Sequence, residues 1–408
     1  MMPSRVVCAL GVGALLAAAP ASAEAPPCRD RFLHPFNSSS IWNTPIGSAA
    51  VYVPAGIYSG VDSRRAQPKE IHNDQDWLIL SRPTDPYVNW IDDSGNFPGL
   101  CTAKGAFAPE TIPIPADLVT DCVANNNGAG VLLPDNRTLV QMQPLYIPKA
   151  GGPIIAWYHT GAPQPFPWTV DILGDGNLGA HGGSGLSSFG GDIRLGELLP
   201  GSPPIAHALK LELWATAYYY YNYSSSNYSS CFTWPAVGCD SYWDRPGIGY
   251  NGTNPYVKPG ALLAVPPAQA PALLARLTTV PGQRIAAALV DYGGYLVDDT
   301  GSEQGGGAVC AESGVNAELE RVFGYSWRIE APLKPGDALY ADLVLVFQAL
   351  AVVVNNGPAS VGGGGTPRRP PPPPICGAEG AAPFAPPPTG DAGRSLPVVR
   401  RGPAAAAA

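Results

Sequence analysis

The 408-residue sequence has little charge and no long apolar segment beyond its amino terminus. Charged residues make up 14% of it, the formal net charge is −8, and no basic stripe is present. Nucleic-acid binding needs clustered Lys and Arg, so we expect no nucleic-acid partner. The nearest candidate for a membrane span, LVLVFQALAVVV (343–354), is shorter than the roughly 18–20 apolar residues that a span needs and contains Gln348. We therefore expect no membrane span.

The amino terminus has the pattern of a secretory signal peptide. Arg5 precedes the apolar run VVCALGVGALLAAAP (6–20), and the small residues ASA (21–23) follow it. We expect residues 1–23 to be removed and the mature chain to be secreted, to an extracellular or cell-wall location.

The cysteines agree with an oxidising compartment. The sequence has no CxxC pair, which argues against a structural zinc site of the common type. Seven cysteines remain after residue 23. Short loops favour the disulfides Cys101–Cys122 and Cys231–Cys239. Cys28 is left with two alternative partners, Cys310 and Cys376.

Five sequons predict a glycoprotein, and each occupied asparagine should lie on a solvent-facing loop. They are Asn37, Asn136, Asn222, Asn227 and Asn251.

Glycine and proline are abundant, at 48 and 47 residues, and they separate short β-prone runs. This pattern predicts a mainly β fold, an antiparallel β-sandwich or jelly roll with a few helices in the carboxy-terminal half. LKLELWA (209–215) alternates as a half-buried strand does. Helices are expected over 268–280 and 282–293, and 337–354 fits either helix or strand. We expect a single domain over 24–368 and a disordered Pro/Ala-rich tail over 369–408.

The glycine-rich stretch GAHGGSGLSSFGGDIRLGEL (179–198) matches no familiar catalytic loop. It lacks the last glycine of G-x-S-x-G and the lysine of a phosphate-binding loop. Its glycines permit close approach of a ligand or of another backbone. DIRLGEL (192–198) alternates like a strand. His181, which lies close to Ser184, and the charged residues Asp192 and Arg194 are candidate catalytic residues, with a structural role as the alternative.

KEIHNDQDW (69–77) places His72, Asp74 and Asp76 at alternate positions. On a strand these side chains share a face, which suits a metal, a proton-transfer pair or the hydroxyls of a sugar. The alternative is a solvated strand end. Ca²⁺ is the one candidate cofactor, although the stretch lacks the glycine and distal glutamate of a calcium loop.

Further carboxylates cluster at Asp298, Asp299, Glu303 and Glu312. Glycoside hydrolysis needs two carboxyl groups, whereas ordinary turn residues are the alternative interpretation. An aromatic region supplies candidate stacking platforms for sugar rings, with core packing as the alternative. Its candidate substrate-binding residues are Trp214, Tyr218, Trp234 and Trp243.

Several blocks together resemble a family of secreted proteins of bacteria and algae. They are HPFNSSSIWNTPIGSAAVYVP, GAHGGSGLSSFGGDIRLGEL with IAHALKLELWA, PGALLAVPP with IAAALVDYGGYLVDDT, and NNGPASVGGGGTPR. The resemblance spans residues 32–369 and implies a β-sandwich in an extracellular carbohydrate setting, with GGGGTPR at the end of the domain. It assigns no catalytic residue. The proline run, sequons and Ala/Gly bias are similar to those of green-algal wall and matrix glycoproteins.

These observations predict a secreted glycoprotein whose partner is an extracellular polysaccharide or the glycans of glycoproteins. The leading hypothesis is an enzyme that cleaves glycosidic bonds. Hydrolysis would use two carboxylates from the set Asp74, Asp76, Asp192, Asp298, Asp299 and Glu312. Elimination would use a base and a cation that neutralises a uronate, from the set His72, His181, His207 and Arg194. The rival hypothesis is a non-catalytic glycan-binding component of a wall or matrix.

Overall fold

The fold is known from a computed structural model, which describes residues 28–92, 107–120, 122, 127–156, 169–224, 227–301, 306–378, 381 and 383–384. The expected signal peptide, Cys101, Glu303 and most of the expected tail lie outside these residues.

Short strands account for most of the regular structure, in agreement with a sequence broken by glycine and proline. Fifteen strands occur in the described residues: β1 Tyr52–Pro54, β2 Asn73–Leu80, β3 Tyr87–Asp92, β4 Phe107–Pro113, β5 Ala129–Leu132, β6 Thr138–Met142, β7 Leu145–Tyr146, β8 Ile154–Ala156, β9 Thr169–Asp171, β10 Leu178–His181, β11 Leu209–Leu213, β12 Leu262–Ala264, β13 Gly294–Asp299, β14 Gly307–Glu312 and β15 Ala351–Val353.

Five α-helices occur in the same residues: α1 Ala215–Tyr218, α2 Ala270–Leu274, α3 Val280–Asp291, α4 Val315–Phe323 and α5 Ala338–Gln348. The expected helix over 268–280 shrinks to α2, and α3 follows it. The ambiguous stretch 337–354 contains both structures, since α5 is followed by β15. Helix α4 was not predicted; its nine residues lie between Gly314 and Gly324, both at positive φ.

The strands form a ten-stranded sheet, in the order β1-β15-β12-β13-β11-β14-β2-β5-β6-β9, and a four-stranded sheet, β4-β3-β8-β7. The mainly β prediction is confirmed. The expectation of purely antiparallel pairing is wrong, because the β11/β13, β14/β2, β2/β5 and β3/β8 pairs are parallel. Parallel strands are usually buried on both faces, and β11 and β14 are buried along their whole length.

The two faces of the central strands differ in chemistry. Leu211, Leu213 and Val309 pack on one face in the same apolar cluster as Leu289 of α3 and Phe347 of α5. Lys210 and Glu212 alternate with these leucines and project to the opposite face, where both are buried. The alternation in LKLELWA therefore marks an apolar face and a buried charged face. The expectation that its polar face meets solvent is wrong.

Disulfides join distant and local parts of the chain. Cys231–Cys239 is confirmed, and Cys28 pairs with Cys376, which settles its two alternatives. Cys122 is disulfide-bonded, and its expected partner Cys101 lies outside the described residues. Cys310 is a buried free thiol.

Residues just beyond the expected domain boundary at 369 belong to the folded part. Ile375 is 4% exposed and forms a parallel bridge with Arg29, next to the Cys28–Cys376 disulfide. Within the described residues, no helix is both long and apolar enough to cross a membrane.

Candidate functional site

The charged face of the ten-stranded sheet carries a buried cluster of ionisable side chains. Asp74 and Asp76 come from β2, Lys210 and Glu212 from β11, and Cys310 from β14. Cys310 lies opposite Asp74 in the parallel β14/β2 pairing. Each of these side chains is at least nine-tenths buried. Unpaired buried charge is costly, so the contacts within the cluster decide its properties.

The glycine-rich stretch covers this cluster. It enters along β10, which ends at His181, and it then turns through Gly182 and Gly183. Gly182 has φ +52°, and a Cβ at this position would lie 2.2 Å from Cγ of Asp298. A Cβ on Gly183 would lie 2.6 Å from Oδ1 of Asp240. The glycines are therefore needed because the backbone runs directly against carboxyl groups. The expected strand over DIRLGEL is wrong: Ile193 makes a single bridge, and a turn follows.

Lys210 balances one half of the cluster. Its Nζ forms ion pairs with Asp76 and with Asp192 Oδ2, the latter at 2.9 Å. Burial raises the pKa of Asp76, but the Lys210 and His181 side chains outweigh it and hold that pKa below its usual range. Burial and the neighbouring Asp76 charge raise the pKa of Asp192 well above its usual value. This half is therefore held together by the Lys210 ammonium group, which contacts both carboxyl groups.

The other half has no lysine or arginine partner in the described residues. His181 Nε2 lies 3.6 Å from Asp74 Oδ2 and 3.2 Å from Asp76 Oδ2. Cys310 Sγ lies 3.7 Å from His181 Nε2 and 3.7 Å from Glu212 Oε1. Burial, with the charge of Asp76, raises the pKa of Asp74 to about 6. Burial, with the charge of Asp74, raises the pKa of Glu212 well above its usual value.

One donor atom from each of Asp74, His181, Glu212 and Cys310 lies within 4.8 Å of the other three. A second set of donors, Asp76, Asp192 and Cys310, is equally close, but Lys210 already contacts its two carboxyl groups. A thiol and an imidazole are not calcium ligands, so the first set does not suit the Ca²⁺ considered from the sequence.

Two more carboxyl groups continue the site along the glycine stretch. Asp298 accepts hydrogen bonds from the Asp299 N–H at 2.8 Å, from Gln143 Nε2 at 3.3 Å and from the Gly183 N–H at 3.4 Å. Asp240 Oδ2 accepts one from the Tyr250 hydroxyl at 2.6 Å. Burial, with the Asp298 and Asp299 charges, raises the pKa of Asp240 well above its usual value.

The carboxyl group of Asp299 is used in local hydrogen bonds that hold the backbone. Its Oδ1 accepts the backbone N–H of Ala215 at 2.8 Å and of Gly301 at 3.0 Å, and its Oδ2 accepts the Tyr242 hydroxyl at 2.8 Å. Asp299 thereby fixes the start of α1 and the turn after β13.

Arg194 and His207 belong to a separate polar group. Arg194 stacks over Phe32 and Phe189, with its Cζ 5.0 and 5.1 Å from the ring centroids, and its Nε lies 3.7 Å from Glu312. His207 Nε2 contacts both oxygens of Glu197 at 3.2 Å.

His207 Nδ1 contacts the carbonyl oxygen of Ala208 at 2.9 Å. Burial lowers the pKa of His207, but Glu197 and this carbonyl outweigh it, and the net pKa is raised. His207 is therefore held by a carboxylate and a carbonyl rather than offered to a substrate.

The structure thus brings together Asp74, Asp76, His181, Asp192 and Asp298 of the expected catalytic residues. Arg194 and His207 lie in the second group, and Asp299 fixes local structure. His72 is buried just before β2, where burial alone lowers its pKa to about 4, and the described residues show no contact between it and the cluster.

The aromatic candidates lie mostly in the core. Tyr218 is 4% and Trp243 9% exposed, and Trp243 packs edge-on against Tyr221 with ring centroids 4.2 Å apart. Trp214 and Trp234 are partly buried. Burial of Tyr218 and Trp243 favours packing over sugar stacking. Of the sequon asparagines, Asn37 is half-buried and the other four are exposed; glycosylation stays a prediction.

Lys210, Glu212, Asp240, Gln143 and Cys310 were missed as site residues. The charges at alternate positions of LKLEL were a usable signal, since two charges inside an otherwise apolar strand need partners. Nothing local distinguishes Asp240 or Gln143, because tertiary contacts bring them to the glycine stretch.

Comparisons with protein-family models, with curated protein sequences and with solved structures found no match to this chain. The expected relationship to secreted bacterial and algal proteins therefore stays a prediction.

Proposed function

We propose that the chain is an extracellular enzyme that hydrolyses glycosidic bonds in a polysaccharide. The main observation behind the proposal is the pair Asp240 and Asp298, whose carboxyl groups pack against the adjacent Gly183 and Gly182. The two carboxyl groups differ in their hydrogen-bond donors, a hydroxyl for Asp240 and N–H groups for Asp298. A carboxyl group that acts as an acid and a second carboxylate that acts as a base or nucleophile are the catalytic groups of most glycoside hydrolases. The disulfides Cys28–Cys376 and Cys231–Cys239 support an extracellular location.

The environments suggest the two roles. Asp240, whose pKa is raised by burial and by the Asp298 and Asp299 charges and whose Oδ2 accepts the Tyr250 hydroxyl, is suited to be the general acid for the departing glycosidic oxygen. Asp298 accepts N–H hydrogen bonds from Asp299, Gln143 and Gly183. It is the group that activates water or attacks the anomeric carbon.

Burial indicates the side from which a sugar approaches. Asp240 and Gln143 are 9% and 8% exposed, whereas Lys210 and Cys310 are completely buried. Asp74 is 7% exposed, so the site comes near solvent both at Asp240 and Gln143 and at Asp74. Hydrolysis is favoured over elimination because Arg194, the expected partner of a uronate, is occupied by Phe32, Phe189 and Glu312.

The test incubates the purified chain with neutral and uronate polysaccharides while reducing ends and the absorbance of unsaturated products are followed. D240N and D298N should each lower the hydrolytic rate by about 100-fold or more. D244N is the matched control, since Asp244 is an exposed aspartate in the same loop as Asp240. Unsaturated products would show elimination instead. Binding of polysaccharide without turnover on any substrate would support the non-catalytic hypothesis.

A further inference from the structure

We infer that Asp74, His181, Glu212 and Cys310 form a closed zinc site that ties the glycine-rich stretch to the central sheet. The four side chains come from β2, β10, β11 and β14, so one ion would join the segment that contains His181 to three sheet strands. This inference concerns metal binding alone and does not depend on the proposed hydrolysis.

The distances match those between zinc ligands. Zinc bonds of about 2.0–2.3 Å arranged tetrahedrally place neighbouring ligand atoms about 3.3–3.6 Å apart. The corresponding separations are 3.6 Å for His181 Nε2 to Asp74 Oδ2 and 3.7 Å for His181 Nε2 to Cys310 Sγ. Cys310 Sγ to Glu212 Oε1 is also 3.7 Å. The other three pairs of donor atoms lie within 4.8 Å of each other.

The distribution of cationic partners within the cluster favours the same four residues as metal ligands. Lys210 supplies the cation for Asp76 and Asp192. Asp74 and Glu212 have no Lys or Arg contact within the described parts of the chain. Asp74 Oδ2 is buried, and no amide, hydroxyl, lysine or arginine group of the described residues donates a hydrogen bond to it. Its polar neighbours are His181 Nε2, at 3.6 Å, and the carboxyl group of Glu212. A divalent cation satisfies Asp74 Oδ2.

The donor types select the metal. One thiolate and one imidazole favour a borderline-soft ion over Ca²⁺ or Mg²⁺, and two carboxylates complete four-coordination. Four protein ligands leave no open position, which is the arrangement of structural zinc sites. On binding, the Cys310 thiol and the Glu212 carboxyl give up their protons to solvent, and each donates an electron pair to the metal.

The first experiment measures metal content on the full, disulfide-bonded chain. After dialysis against EDTA and reloading with ZnCl₂, elemental analysis should find about one zinc per chain, and the midpoint of thermal unfolding should rise on reloading. Zinc that washes out on desalting, with no shift of the midpoint, would overturn the inference whatever the outcome of the polysaccharide assay.

The second experiment identifies the ligands with Co²⁺ as a spectroscopic probe. The wild type should show intense tetrahedral visible bands and a thiolate-to-cobalt charge-transfer band. C310S should lose the charge-transfer band. D74N and E212Q should lose about tenfold or more in affinity.

D192N is the matched control, because Asp192 contacts Lys210 in the same cluster and lies outside the proposed set. D192N should retain one metal per chain. Loss of metal in D192N with retention in D74N would place the ion in the other set of donors and overturn the assignment.

Discussion

Replacing Lys210 with methionine tests how the buried charges are held. Methionine keeps most of the unbranched stem and removes the ammonium group, so the main loss is the cation beside Asp76 and Asp192. At a hydrogen-bond separation of about 3 Å and an effective dielectric constant of about 20, one such ion pair gains about 5–6 kcal/mol of Coulomb energy. The desolvation of Lys210 in the wild type offsets part of this gain.

Removal of one partner from a buried ion pair costs about 3–5 kcal/mol, because the remaining charge is buried without compensation. K210M should therefore lower the free energy of unfolding by that amount in urea titrations. K149M, which alters an exposed lysine, should leave it unchanged. K210M/D192N should be less destabilised than the sum of its single variants, because the two sites share contacts. A loss below about 1 kcal/mol in K210M would refute the account of the cluster as a set of interdependent buried charges.

Two further variants test neighbouring parts of the structure. The raised pKa of His207 gives stability that is lost as pH rises through that pKa, and the lowered pKa of Glu197 gives stability that is lost as pH falls through its own. E197Q should thus lower the free energy of unfolding by about 1.5–3 kcal/mol near pH 6, and by less at pH 9, in urea titrations. E320Q, which removes one partner of an exposed ion pair, is the control. An equal loss at both pH values would contradict an ion pair between His207 and Glu197. G182A should be destabilised by about 1–3 kcal/mol more than G196A. Both glycines have positive φ, but only at Gly182 would a Cβ collide with Asp298. Equal midpoints of thermal unfolding for the two variants would contradict the close contact between Gly182 and Asp298.

Local patterns in the sequence predicted the fold class. Turn residues between short β-prone runs predicted a mainly β protein, and the helix at 282–293 corresponds to α3. Such patterns could not predict which strands pair in parallel, because the direction of pairing depends on contacts between segments that are distant in the sequence. The short loop between Cys231 and Cys239 predicted their disulfide, whereas Cys28 needed the fold to bring Cys376 beside it.

The candidate site likewise contains some residues that the sequence pattern indicated and others that only the tertiary structure reveals. Alternation in KEIHNDQDW placed Asp74 and Asp76 on one face, and both lie in the cluster. Lys210 and Glu212 were missed because the alternating strand LKLEL was interpreted as half-exposed, although its two charges could have indicated buried partners. Asp240 reaches the glycine stretch from a loop with no periodic pattern, so tertiary structure alone identifies it.

The proposed hydrolysis depends on the carboxyl groups beside Gly182 and Gly183. The most direct measurement is the initial rate of reducing-end release by D298N and by D244N, on a polysaccharide that the wild type cleaves, with circular dichroism as the check on folding. Folded D298N should cleave the polysaccharide at a rate about 100-fold or more below that of the wild type, and D244N should cleave it at the wild-type rate. A folded D298N variant with the wild-type rate would show that Asp298 is not a catalytic residue.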